Sequence, residues 1–114
     1  MVVEDDTDVR ETILEMLAEE GYQARGATNG RDALEKLRSA RVPGLILLDL
    51  RMPVMDGWEF RRQMRTDPAL SGIPVVVMSA DNGLEKKTEG LAVAAVLAKP
   101  VGLEHLLETI DRFC

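Results

Sequence analysis

Apolar residues of this chain form short uninterrupted runs, and each run stops at a polar residue. The clearest covers residues 45–48, four apolar side chains that lead directly into Asp49. Because no polar residue alternates with them, such a run indicates a strand covered on both faces, as in a parallel sheet. The same reasoning predicts strands over residues 1–3, 75–78 and 92–98, and a weaker one over residues 22–27.

Between these runs, apolar residues recur at helical spacing. A first helix, which either Asp6 or Thr7 can cap, carries Val9, Ile13, Met16 and Leu17 on one stripe and is predicted to end at Gly21. Further helices are predicted after Asn29-Gly30, from Trp58 to Asp67-Pro68, over the polar residues 82–89, and from Leu103 to Phe113.

Strands and helices therefore alternate five times along 114 residues, a length that suits one domain. The expected fold is α/β, a five-stranded parallel sheet that is doubly wound as (βα)5, with the flavodoxin-like strand order 2-1-3-4-5. The expected domain covers residues 1–114, with its first strand cut short and no output domain within the chain.

Polar residues suited to catalysis or metal binding follow four of the predicted strands. Glu4 and Asp5 follow the first, Asp49 the third, Ser79 the fourth and Lys99 the fifth. Parallel strands share one carboxyl edge, so these side chains are expected to converge there. Three close carboxylates repel one another unless a cation joins them, and oxygen ligands suit Mg²⁺. With Lys99 supplying charge for a phosphate, Asp49 is then a candidate nucleophile for phosphoryl transfer.

Composition limits the partners. The net charge of −6 offers no basic surplus for nucleic acid. The sequence contains no apolar run of membrane-spanning length and does not open on a secretory signal. The single Cys114 leaves no internal disulfide, so a reducing, cytoplasmic location is expected.

Four segments in register resemble the receiver domain of two-component response regulators. They are VVEDD, LLDLRMPVMDG, VVVMSA and LAKP, and together they extend the resemblance over essentially the whole chain. The strand order above is that of the chemotaxis members of this family, so it is not independent of the resemblance.

The resemblance implies a role for each residue at the strand ends. Asp49 would be the phosphoacceptor, with Asp5, Glu4 and the backbone carbonyl of Arg51 holding Mg²⁺. Ser79 would donate a hydrogen bond to the phosphoryl group and Lys99 would pair with it. Pro100 would carry the family's cis peptide bond.

This sequence departs from the family pattern at two positions. Glu4 stands where many members have Asp, and its longer side chain is expected to serve through a bound water. Val96 stands where an aromatic residue often reports the state of the Ser/Thr position, so that form of the switch is in doubt. Movement of Ser79 and its loop toward the phosphate would remain.

The resemblance implies that a histidine kinase or phosphotransfer protein donates the phosphoryl group. It also implies that a downstream protein or an attached output domain responds to the phosphorylated form. A homodimer is compatible with the sequence. The alternatives are a phosphatase of the haloacid-dehalogenase kind, disfavoured because Arg51 replaces the acid two residues after the nucleophile, and a pseudo-receiver that only binds partners. A nucleotide-binding fold is disfavoured because acids replace glycines after the first strand.

Other polar residues have plainer interpretations. Asp6 is expected to cap the first helix, Trp58 to be buried or half-buried, and His105 to be exposed and without a role in phosphoryl transfer. Arg51 and Asp81 each lie two residues beyond a site residue, and we hypothesise that they control access of water to the acyl phosphate. Residues 85–87 are most simply a solvated helix face.

Overall fold

The structure, a computed structural model, describes residues 1–39, 41–80 and 92–113. In chain order the elements are β1 (Val2–Val3), α1 (Thr7–Glu19), β2 (Gly26–Ala27), α2 (Gly30–Ser39), β3 (Ile46–Asp49), α3 (Gly57–Thr66), β4 (Val75–Ser79), β5 (Ala95–Ala98) and α4 (Leu103–Phe113). The helix predicted over residues 82–89 lies outside the described residues.

The five strands are parallel and lie in the order β2-β1-β3-β4-β5, which confirms the predicted fold. The longest ladder joins β3 to β4, with Ile46 opposite Val75 and Asp49 opposite Met78. Both strands are buried along their whole length, as their unbroken apolar runs predict. The carboxyl ends of β1, β3, β4 and β5 therefore meet at one edge of the sheet.

Alternate side chains of each strand enter two separate apolar clusters, one on each face of the sheet. On one face Leu48 and Val77 pack with Phe60 and Met64 of α3 and with residues of α2. On the other face the alternate strand residues pack against α1 and α4, in a cluster that includes Val2, Leu47, Val76, Met78, Ile13, Leu17, Leu106 and Ile110. This two-faced burial makes the sheet a rigid platform for the residues at its edge.

β2 and β5 are shorter by several residues than the sequence predicts. β2 covers only Gly26–Ala27, because it is paired only where Val2 and Val3 of β1 lie opposite. Upstream of it, the Tyr22 N–H donates to Leu17 O and so closes the end of α1 instead of joining the sheet. β5 begins at Ala95 rather than residue 92, since Ala92 has a φ of 54°, a left-handed conformation that does not fit a strand.

Helix ends follow the capping chemistry read from the sequence. Asp6, not Thr7, caps α1, since its side chain accepts a hydrogen bond from Val9 N–H at 3.1 Å. Gly21 has a φ of 86°, a conformation that glycine adopts without strain after a helix end. None of the described helices combines the length and apolar character that crossing a membrane requires.

Candidate functional site

Three carboxyl groups meet where β1 and β3 end side by side. Val3 pairs with Leu48 in the sheet, so Glu4 and Asp49 leave the two strands at the same edge. One carboxylate oxygen from each of Glu4, Asp5 and Asp49 lies within 4.8 Å of the other two. Glu4 and Asp49 are buried, whereas Asp5 is exposed. The structure thus brings together the three acids that the sequence predicts to converge.

Lys99 supplies the cation of this cluster. Its Nζ lies 2.5 Å from Glu4 Oε1 and 3.6 Å from Asp49 Oδ1. Its backbone N–H donates to Ser79 O at 2.9 Å, and the peptide bond to Pro100 is cis, as predicted. The closest partner of Lys99 is therefore Glu4 and not Asp49.

The protonation of Glu4 is strongly perturbed. Its burial, and then the neighbouring carboxyl of Asp49, raise the Glu4 pKa from 4.5 to about 7, although Lys99 acts in the opposite direction. Burial acts to lower the Lys99 pKa, but the carboxylates of Glu4 and Asp49 outweigh it and raise that pKa above its ordinary value. Lys99 therefore stays charged at neutral pH, and one lysine does not balance all the acids around it.

A pocket of about 290 Å³ opens beside these charges and is lined by Asp49, Arg51, Ser79, Ala80 and Lys99. Ser79 is buried at the end of β4, and Arg51 is exposed. The Arg51 N–H approaches Asp49 Oδ1 at 3.4 Å, a long contact that leaves the carboxylate open toward the pocket. The predicted nucleophile, hydroxyl and cation therefore face one cavity large enough for a phosphoryl group.

The loop between β3 and α3 is held by close backbone contacts. Asp56 caps α3 by accepting from Glu59 N–H at 2.9 Å, and Gly57 N–H donates to Leu50 O at 2.9 Å. A Cβ on Gly57 would lie 2.7 Å from Asp49 O, which is too close for any side chain. Only glycine lets α3 begin against the backbone of Asp49, so Gly57 sets how closely the helix approaches the residue that carries this carboxylate.

The chemistry of the acid cluster fits a divalent cation. Glu4 Oε2 is buried, and none of the described residues offers it a hydrogen-bond donor. A buried carboxylate oxygen without a donor is costly, and a cation would satisfy it. All the available ligands are oxygens, and the exposed side at Asp5 leaves room for water, as Mg²⁺ prefers.

Sequence reasoning missed Arg10, which supports the cluster from α1. Its Nη1 donates to the backbone carbonyl of Glu4 at 2.8 Å, and its side chain is 13% exposed. No motif marks this residue. The available signal was Gly26, because a glycine inside a strand often marks the close approach of another group, and here Arg10 lies against it.

The remaining residues singled out in the sequence are distributed as follows. Trp58 is half-buried against the core and His105 is exposed, as predicted. Val96 lies in β5 opposite Val77 and packs on the same apolar cluster. Asp81, residues 85–87 and Cys114 lie outside the described part of the chain, so the hypothesis that pairs Arg51 with Asp81 stays a prediction.

Comparisons with known proteins agree with this geometry. The family model described as response regulator receiver domain matches residues 1–111. Response regulator MprA of Mycolicibacterium vanbaalenii is 38% identical over 109 residues, a match that covers 94% of this chain and 46% of that protein. The chain therefore spans about half the length of this curated relative.

Solved structures extend the similarity to the fold. Chemotaxis protein CheY4 of Vibrio cholerae superposes with a TM-score of 0.90 at 31% identity, covering 99% of this chain and 95% of that one. The signal receiver domain of a signal transduction histidine kinase from Syntrophus aciditrophicus gives a TM-score of 0.88 at 31% identity, covering 98% of this chain and 86% of that one.

Proposed function

The chain belongs to the response regulator receiver domain family, and we propose that Asp49 is the residue that accepts the phosphoryl group in this signalling switch. The observation that carries the proposal is the shared pocket of Asp49, Ser79 and Lys99 beside a three-carboxylate cluster. A carboxylate that ends a buried strand and opens on a pocket with a cation is suited to nucleophilic attack on phosphorus.

The phosphoryl donor is a histidine kinase or a phosphotransfer protein. A carboxylate oxygen of Asp49 attacks the phosphorus, the bond from phosphorus to the donor's imidazole nitrogen breaks, and an acyl phosphate forms. The backbone of Asp49, which contacts Gly57 and pairs in the β3–β4 ladder, places the carboxylate at the edge of the sheet beside the pocket. Positioning of this kind is the main contribution that a protein makes to phosphoryl transfer.

Lys99 and Ser79 act on the incoming group. Lys99 Nζ lies 3.6 Å from Asp49 Oδ1, so it can pair with phosphoryl oxygens attached there while it remains close to Glu4. The hydroxyl of Ser79 borders the same pocket and donates a hydrogen bond to the phosphoryl group. Together they neutralise charge that would otherwise accumulate beside buried carboxylates.

Glu4, Asp5, Asp49 and the backbone carbonyl of Arg51 would hold Mg²⁺. The bound ion would supply positive charge next to the oxygens of the transferring group. The buried Glu4 Oε2, which meets no donor among the described residues, supports this assignment. Exposed Asp5 completes the set from the solvent side, where ligand water can enter.

The proposed reaction is a single modification of the protein and not turnover of a metabolite. A phosphatase with an aspartate nucleophile would need an acid to protonate its leaving group, and Arg51 stands at the position where such enzymes carry one. A pseudo-receiver would have no need of a lysine paired with buried acids. The downstream partner reads the altered surface, with Val96 in place of the aromatic reporter.

Intact-mass measurement after incubation with acetyl phosphate and Mg²⁺ tests the proposal. The wild type should gain one phosphoryl group, and Asp49→Asn should gain none. The matched control is Asp56→Asn, which removes a carboxylate from the same loop while keeping a residue that caps a helix well; it should be modified like the wild type.

Two outcomes would contradict the proposal. Absence of an adduct on folded wild-type protein with any divalent cation would leave only a role in partner binding. Continuous release of phosphate from a small substrate would indicate an enzyme instead.

A further inference from the structure

The side chain of Arg10 donates a hydrogen bond to the peptide that links the two acids Glu4 and Asp5. Its Nη1 lies 2.8 Å from Glu4 O, and its Nη2 approaches Thr7 Oγ1 at 3.4 Å. Strand β1 ends at Val3, so the Glu4 carbonyl lies beyond the paired residues of the sheet. The guanidinium thus supplies a partner that the β-ladder does not.

This hydrogen bond acts on Asp5 through the peptide plane. The carbonyl of Glu4 and the N–H of Asp5 belong to one planar unit, so fixing the carbonyl fixes the direction in which the chain enters Asp5. On the other side, the Glu4 N–H donates to Ala27 O of β2 at 3.0 Å. Glu4 is therefore anchored at both its N–H and its carbonyl, whereas the side chain of Asp5 is exposed.

Gly26 gives Arg10 the space it needs. A Cβ at Gly26 would lie 3.0 Å from Arg10 Cδ, 3.3 Å from Arg10 Cγ and 3.2 Å from Leu14 Cδ1. The aliphatic stem of Arg10 thus lies directly over the backbone of β2, with its side chain only 13% exposed. A Cβ at position 26 would require this stem to shift by a few tenths of an ångström, and a β-branched side chain would displace it further, together with the guanidinium that holds Glu4 O.

We propose that Arg10, seated on Gly26, is a positioning residue that orients the Glu4–Asp5 peptide and thereby pre-arranges Asp5 to bind Mg²⁺. The inference rests on the proposed function, in which Asp5 is a metal ligand. Arg10 contacts neither the phosphoryl group nor the ion, and it acts only through the backbone of the acid pair. Replacing residues that orient metal ligands in this way commonly weakens metal binding.

Charge and geometry predict opposite effects of removing Arg10, and this makes the inference testable. Loss of a positive charge near an acid cluster strengthens the attraction for a cation. Loss of the hydrogen bond frees the Glu4–Asp5 peptide, so that binding must order it and Mg²⁺ affinity falls. A weaker affinity in Arg10→Ala therefore reports positioning, because electrostatics alone would give a tighter one.

The experiment is calorimetric titration with MgCl₂ of the wild type and four variants, each checked for folding by circular dichroism. Arg10→Ala should weaken Mg²⁺ binding about 10-fold, and Arg10→Lys, which keeps the charge and a donor, should weaken it less. Gly26→Val keeps the arginine but displaces its stem, so it should also bind Mg²⁺ more weakly. Gly72→Val is the matched control, since a Cβ there meets nothing within 4 Å.

Acetyl phosphate labelling of the same samples separates this inference from the proposed function. A wild type that is neither labelled nor bound by Mg²⁺ overturns the proposed function. A wild type that does both, beside folded Arg10→Ala and Gly26→Val proteins with unchanged or higher Mg²⁺ affinity, overturns the role of Arg10 alone. If Arg10→Ala does not fold, Arg10→Lys and Gly26→Val decide the matter by the same criterion.

Discussion

Metal-free protein should become more stable as the pH falls from about 8 to about 5, and Glu4→Gln should lack that gain. Glu4 is buried beside Asp49, and these surroundings raise its pKa from 4.5 to about 7. The folded state therefore holds the proton of Glu4 more tightly than the unfolded state does. The associated stability is fully present below pH 4.5 and is lost as the pH rises through about 7.

The size of the effect follows from the two pKa values. A rise of the Glu4 pKa to about 7 corresponds to about 3 kcal/mol of folding free energy, of which about 2.5 kcal/mol falls between pH 5 and pH 8. The side chain is 1% exposed, so screening by solvent reduces this figure little. Glutamine has nearly the shape of protonated glutamate and remains uncharged at every pH.

Urea denaturation in EDTA over this pH range measures the difference directly. Wild type and Glu4→Gln should have similar stability at pH 5, and the variant should be more stable by about 2 to 3 kcal/mol at pH 8. Burial acts to raise the pKa of Asp32, but hydrogen bonds from Thr28 and Lys36 lower it below 3.8, so this group adds almost no slope over the same range. Parallel stability curves for the two proteins would refute the reasoning.

The loop that carries Asp49 gives two further predictions. Gly57→Ala should lower the free energy of unfolding by about 3 kcal/mol and slow labelling by acetyl phosphate. The reason is that the added Cβ would lie 2.7 Å from Asp49 O and from Leu50 Cα. An unchanged urea midpoint and an unchanged labelling rate would contradict this prediction. Val54→Asn should raise the melting temperature, through a gain of about 1 kcal/mol in the free energy of unfolding. Val54 is 73% exposed and has a φ of 70°, a left-handed conformation that asparagine adopts more easily than valine. A lower melting temperature would count against this prediction.

The sequence was sufficient to predict the positions of Asp49, Ser79 and Lys99. Each follows an unbroken apolar run, and parallel strands oblige such residues to share an edge. Convergence of Glu4, Asp5 and Asp49 was predicted for the same reason, and their ligand atoms do lie within 4.8 Å. Strand order and side-chain identity are thus enough to assemble the charged groups of the site.

Contacts that depend on three-dimensional packing could not be predicted from the sequence. Burial of Glu4 and its 2.5 Å contact with Lys99 depend on how two strands separated by β3 and β4 approach each other. Gly26 signals only that some group approaches β2 closely, and the hydrogen bond from Arg10 to the Glu4 carbonyl has no motif, since a long side chain on that face of α1 could have pointed into solvent. Strand lengths were overestimated at residues 22–25 and 92–94, where pairing and a left-handed φ at Ala92 set the limits.

The ion pair between Glu4 and Lys99 joins residues that are 95 positions apart in the chain. Once β1 and β3 have been synthesised, all three acids of the cluster are present, but Lys99 follows only after β5. The acids at the ends of β1 and β3 therefore gain this lysine only once β5 has paired with β4 in the sheet.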